Sequence, residues 1–115
     1  MENKKVVMFL AASECRSDVE EKYNKWYNEV HIPNVMKYKG IKRAARYKRL
    51  DDKTECTKYL AIYEFESKEA ADGWEKSDLF AAGRKERLET WKDGGLDLKW
   101  GIAYEQLKTW ERPQE

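Results

Sequence analysis

Trp26-Tyr27-Asn28-Glu29-Val30-His31-Ile32-Pro33 closes a helical pattern, and Gly40-Ile41 opens a strand just beyond it. That hand-over decides the fold. Upstream of it, Val19, Tyr23, Trp26, Tyr27 and Val30 recur at helical spacing and form one apolar stripe. Ser17-Asp18-Val19-Glu20 reads as a capping box at the start of the same helix, with acidic residues in the first turn where the dipole favours them. Pro33 lacks a backbone donor and restrains Ile32, so the regular helix is expected to end or kink near His31. Val35, Met36 and Tyr38 supply a further short turn before Gly40.

Before the helix, Val6-Val7-Met8-Phe9-Leu10-Ala11-Ala12 is an apolar run without helical period, expected to be a central strand buried on both faces. After it, Ile41 to Leu50 reads as a long strand with Ile41, Arg43, Ala45, Tyr47 and Arg49 on one face. Asp51, Asp52, Lys53 and Thr54 make a polar turn. Thr57 to Glu66 then alternates, with Tyr59, Ala61, Tyr63 and Phe65 opposite Lys58, Leu60, Ile62 and Glu64, which completes a hairpin. Ser67 caps a helix that breaks near Ser77. A second helical segment runs to about Trp91, and Asp93-Gly94-Gly95 stops it. Leu96 to Trp110 reads as the last strand, with Leu98, Trp100, Ile102, Tyr104 and Gln106 on one face, and the tail beyond is polar and loose.

The order is β-α-β-β-α-β, the ferredoxin-like α+β arrangement: a four-stranded antiparallel sheet with its helices on one face, in one domain over residues 1–115. The strands carry aromatic and aliphatic residues on both faces. The face without helices would leave a large apolar patch in water, so a second copy packed sheet against sheet is expected, giving a homodimer.

Composition narrows the function. The 23 basic and 22 acidic residues nearly cancel and offer no broad field for nucleic acid or an anionic membrane. The cluster Lys42, Arg43, Arg46, Lys48 and Arg49 reads as a solvated strand face. The N-terminal apolar run is too short to span a bilayer, and no clear cleavage site follows it. Cys15 and Cys56 lie far apart and, with one histidine, make no metal set. They read as reduced thiols in the cytoplasm. No phosphate-cradling glycine motif is present, and a lone histidine is no haem signature, so no cofactor is expected. Five Trp, seven Tyr and three Phe, by contrast, are enough to seal an interface or line a pocket.

With the topology in place, the chain resembles the dimeric α+β barrel superfamily, in which two ferredoxin-like subunits join their sheets. The segment from Trp26 to Val35 resembles the W-Y-x-x-x-H-x-P pattern of EthD-like proteins, which likewise sits at the end of the first helix, soon before a glycine and a strand. The resemblance covers most of the chain as topology and about eight residues as a motif. Relatives there include polyketide cyclases, dehydratases, muconolactone-type isomerases, haem-degrading and quinone-forming monooxygenases, and members with no known reaction. It therefore narrows fold far more than function.

His31 is the only side chain whose ordinary pKa lies close to neutrality. The functional reading makes it a general base or acid beside a pocket lined by Tyr23, Trp26 and Tyr27, with Tyr47 or Tyr63 supplying a phenol to polarise a carbonyl. Phe80 and Trp100 complete the candidate substrate-binding set; the Phe80 helix and the Trp- and Tyr-rich last strand are compatible with the layout of the resemblance, and strand parity leaves open which face Trp100 takes. The plain alternative is a histidine that caps the helix end or stacks on Tyr27. Arg43, Arg46 and Arg84 are candidates for a substrate carboxylate, with surface charge as the default reading. The expected activity is a cofactor-free lyase, cyclase or isomerase working by proton transfer on a small aromatic, polyketide-like or lactone substrate. The alternatives are a non-catalytic binder of a small hydrophobic molecule and a cofactor-free monooxygenase of aromatics.

Overall fold

In the computed structural model, which describes residues 5–52 and 55–114, the N-terminal apolar run becomes β1 (Val7–Cys15). It is central, between β3 (Tyr59–Phe65) and β4 (Leu96–Glu105), with β2 (Ile41–Lys48) outside β3. All three pairings are antiparallel. This is the ferredoxin-like sheet that the order of elements implies. The expected turn over residues 51–54 falls partly outside the described residues.

Helices cover one face. α1 (Glu20–Trp26) runs through a π turn (Tyr27–His31) into α2 (Ile32–Val35), and α3 (Lys68–Trp74) is followed by α4 (Asp78–Thr90). Two serine caps set the last two. Ser67 accepts from the Ala70 amide and Ser77 from the Phe80 amide, each at 3.1 Å. The break expected near Ser77 is thus a second helix start. Gly94 and Gly95 end the helical region at φ of 87° and 107°, a conformation other residues rarely adopt.

The core under these helices is aromatic. Tyr23 is fully buried and Phe65 is 1% exposed, and Tyr59, Tyr63, Trp74 and Trp91 join them. The Tyr23 ring lies 4.9 Å from Tyr59 and 5.1 Å from Tyr27, and its phenol is hydrogen-bonded to Ser13 at 2.5 Å.

Four local expectations need correction. The capping box does not form: Ser17–Val19 is a 3₁₀ turn, and Val19 precedes α1 without a side-chain cap. The Glu20 carboxylate goes instead to Lys58 at 2.6 Å and to the Tyr59 hydroxyl. In β2, an extra residue at Lys42 makes a bulge, which flips the alternation. Ile41 opposite Phe65 therefore joins the helix face, while Arg43, Ala45 and Tyr47 point the other way. In β4, an extra residue at Lys99 does the same: Leu98 pairs with Ser13 and Trp100 with Ala12, so Leu98 does not share a face with Trp100, Ile102 and Tyr104. Finally, the strand ends at Glu105 and not Trp110, and Leu107 and Trp110 are 85% and 76% exposed.

The bulges define the open face. Across the sheet, Tyr47, Leu60, Ala12 and Trp100 form one row, and Ala45, Ile62, Leu10 and Ile102 form the next. Arg43 holds the largely buried Glu64 through two contacts of 3.2 Å in a third row.

Candidate functional site

The π turn sets the histidine. The Ile32 N–H donates to the carbonyl of Tyr27, five residues back, and Pro33 then has no N–H with which to continue the ladder. The extra residue turns Val30 out of the stripe, to 36% exposure, and brings His31 into its place. His31 stacks on Trp26, five residues earlier, with ring centroids 4.7 Å apart and planes at 20°. The Tyr27 ring meets it edge-on at 5.2 Å. Trp26 is itself fixed, since its indole N–H donates to both carboxylate oxygens of Glu86 at 3.0 Å.

Burial pulls the His31 imidazole down from 6.5 to about 4. Arg87 acts in the same direction, and Glu86 offsets part of the shift. The ring is therefore neutral at pH 7, with one nitrogen to donate and one to accept. Neither nitrogen has a hydrogen-bond partner among the described residues.

His31 lines a cavity of about 280 Å³ between the helix face of the sheet and α4. The cavity exists because α4 covers the sheet without burying any residue fully. Phe9, Tyr63, Trp74 and Leu98 form its apolar floor and end, and Phe80 its roof. Gly101 in β4 belongs to the floor, where a Cβ would stand 2.6 Å from the Phe9 ring. Tyr63 is 5% exposed, yet its hydroxyl makes no hydrogen bond among the described residues. Burial raises its phenol, so it stays protonated and able to donate. Burial raises the Tyr27 phenol too, and Ser13 offsets part of that shift.

The residues singled out in the sequence separate into three groups. His31, Tyr27, Tyr63 and Phe80 reach this cavity, and Trp100 borders it from β4 although its register row belongs to the open face. Tyr23 and Trp26 do not line it. They stand behind His31 and Tyr27 as buried support. Tyr47 is on the opposite face of the sheet, 54% exposed, and is not brought to His31. Of the arginines, Arg43 is engaged by Glu64, and Arg46 is bound by Asn24 and Asn28 beneath the Tyr27 ring, whereas Arg84 does border the cavity. Gly83 and Arg87 also line the cavity and were not singled out in the sequence, because helical spacing on α4 shows that they share a face without showing that the face looks into a void.

The sequence profile of one family spans residues 6–97 of the chain. The chain belongs to the DUF4286 family. That family is described as a domain of unknown function, so membership brings this DUF4286 domain no activity. No curated protein matches it. Solved structures similar to it include an EthD family protein from Bacillus halodurans C-125, at 12% identity and a TM-score of 0.65, covering 90% of this chain and 99% of the other. HapK from Hahella chejuensis aligns at 13% identity and 0.68, over 94% and 99%. A DABB family protein with a ferredoxin-like fold from Mesorhizobium loti aligns at 8% and 0.67, over 92% and 99%. At these identities the likeness is one of fold. No helix among the described residues is long and apolar enough to cross a membrane.

Proposed function

We propose that this DUF4286 domain is a cofactor-free lyase, cyclase or isomerase that moves a proton on a small aromatic or lactone substrate held in the His31 cavity. One observation carries the reading: the His31 imidazole and the Tyr63 phenol both line one largely apolar cavity, and neither has a hydrogen-bond partner among the described residues. A substrate that hydrogen-bonds to both is held in one orientation in an otherwise apolar space. Tyr63 donates to the substrate carbonyl oxygen, where negative charge develops as the enolate forms. The free nitrogen of neutral His31 accepts the proton from the adjacent carbon and returns it at the new position. The imidazole is in its unprotonated form at pH 7, and the burial that keeps it so also makes it a weaker base than free imidazole, so the Tyr63 bond to the developing oxyanion has to carry more of the barrier.

The test is turnover of a panel of small aromatic ketones and lactones by wild type and by His31→Gln. A catalyst should lose about 10²–10⁴-fold in kcat with ligand affinity kept. Wild-type binding without turnover would instead favour the alternative, a protein that holds its ligand unchanged.

The partner of the open sheet face is a second copy of the chain in this reading, because Leu10, Ile62, Ile102 and Trp100 form contiguous apolar rows there. Sedimentation is expected to give twice the 13.7 kDa chain mass, and Ile102→Lys to give the monomer. A wild-type monomer at assay concentrations overturns it. Cys15 and Cys56 are both free, which fits a cytoplasmic protein.

A further inference from the structure

We propose that the cavity's ligand is a small planar aromatic carboxylate, which enters over Gly83 and has its charge met by Arg84 and Arg87. This rests on reading the cavity as a ligand site and adds the ligand's charge and its way in.

The charge follows from the wall. Among the described residues it contains three cations, Arg84, Arg87 and Lys99, and no carboxylate. Lys99 is engaged by Asp97 at 2.6 Å. The two arginines, at neighbouring turns of α4, form no ion pair with any described residue. The nearest acid on the helix, Glu86, is held by Trp26 and by the Thr90 hydroxyl at 2.5 Å. The two guanidiniums at the mouth are thus not held by an ion pair among the described residues, although Glu89 borders the groove beside Arg84. A guanidinium presents a planar fork that suits a carboxylate, and two of them at the edge of an apolar cavity favour a molecule with a flat apolar body and an anionic end. Tyr63, nine-tenths buried and unpartnered, waits deeper as a donor to an oxygen on that body.

The entrance follows from Gly83. A glycine in a helix interior costs about 1 kcal/mol relative to alanine. Here a Cβ would meet nothing within 4 Å. The open space above Gly83 is the cavity itself, with Leu79 and Phe80 one turn before and Arg87 one turn after. Packing within the chain gives no reason for the glycine, whereas a ligand passing at that point does.

The experiment compares 2-naphthoate with 2-naphthamide, which share ring and shape and differ in charge. Affinity is read by calorimetry, and site occupancy by the NMR shift of the single imidazole. The naphthoate should bind about tenfold tighter or more, and Arg84→Gln with Arg87→Gln should erase the difference while leaving amide binding in place. Gly83→Leu should abolish binding of both, with the melting temperature unchanged or raised. Equal affinity for acid and amide overturns the charge assignment and leaves the ligand site standing. Wild-type affinity in Gly83→Leu overturns the entrance. Binding of neither compound to wild type removes the site reading together with the proposal.

Discussion

Trp26→Ala is expected to cost about 3–5 kcal/mol of folding stability and to return His31 toward an ordinary pKa. Trp26 is 5% exposed and meets Tyr27 at 5.0 Å and Trp91 at 5.8 Å, both edge to face, so its removal empties the junction of α1 with the end of α4. The indole also covers one face of His31 at 4.7 Å. Water admitted there solvates the imidazolium, and the burial that holds the group near pH 4 is relieved. Urea unfolding reads the first effect and an NMR titration of the single imidazole the second. Trp26→Phe separates them from simple unfolding. It keeps most of the packing and loses the N–H donated to Glu86, a bond to a charged group worth about 1.5–3 kcal/mol. An alanine variant within 1 kcal/mol of wild type, or a His31 pKa unmoved in both variants, would show that Trp26 does not support the site.

The reach of the sequence was set by how local each signal is. β1 was legible as the central strand because an apolar run with no polar face suits a strand paired at both edges, as it is here between β3 and β4, although one of its faces carries no helix. Ser67, Ser77 and Gly94-Gly95 were legible as boundaries because caps and positive-φ turns depend on a few adjacent atoms. Strand faces were not. Alternation assumes one residue per step, and the extra residues at Lys42 and Lys99 each break it, moving Ile41 and Leu98 to the helix side. Nothing in the side chains there announces a bulge.

The site was half legible for a related reason. His31 stood out by chemistry, but a 3.6-residue period put Val30 on the stripe and His31 at its edge. The π turn reverses them. Its trace in the sequence is an aromatic five residues before a histidine that is soon followed by proline. Tyr63 and Tyr47 were equivalent as phenols until the register placed Tyr63 opposite Ala44, on the helix side, and Tyr47 opposite Leu60, on the other. Capping-box spacing at Ser17 was outweighed by tertiary partners, since Lys58 and Tyr59 offer Glu20 stronger contacts than a backbone amide.

Acid should destabilise the wild-type protein in a window that His31→Gln closes. The folded-state pKa, about 4, lies below the ordinary 6.5 that the unfolded chain retains. Above pH 6.5 the imidazole is neutral in both states and contributes no pH dependence. As pH falls from 6.5 toward 4, the unfolded chain takes up a proton that the folded protein refuses, so stability drops. Below about 4 both states are protonated and the loss levels off. The gap of about 2.5 pKa units corresponds to about 3 kcal/mol. The groups acting on the ring are the stacked face of Trp26, the Tyr27 ring at right angles to it, the Arg87 cation and the Glu86 carboxylate. Glu20, whose carboxyl is held low by Lys58 and Tyr59, also loses stability in acid, but it does so equally in both proteins. The difference between the wild-type and His31→Gln stability curves therefore isolates the histidine. It should be flat above pH 6.5 and change by about 3 kcal/mol between pH 6.5 and 4. Parallel curves across that window would mean that His31 is solvated. A solvated imidazole would not occupy the position against Trp26 and Tyr27, in the cavity wall, from which the proposed chemistry starts.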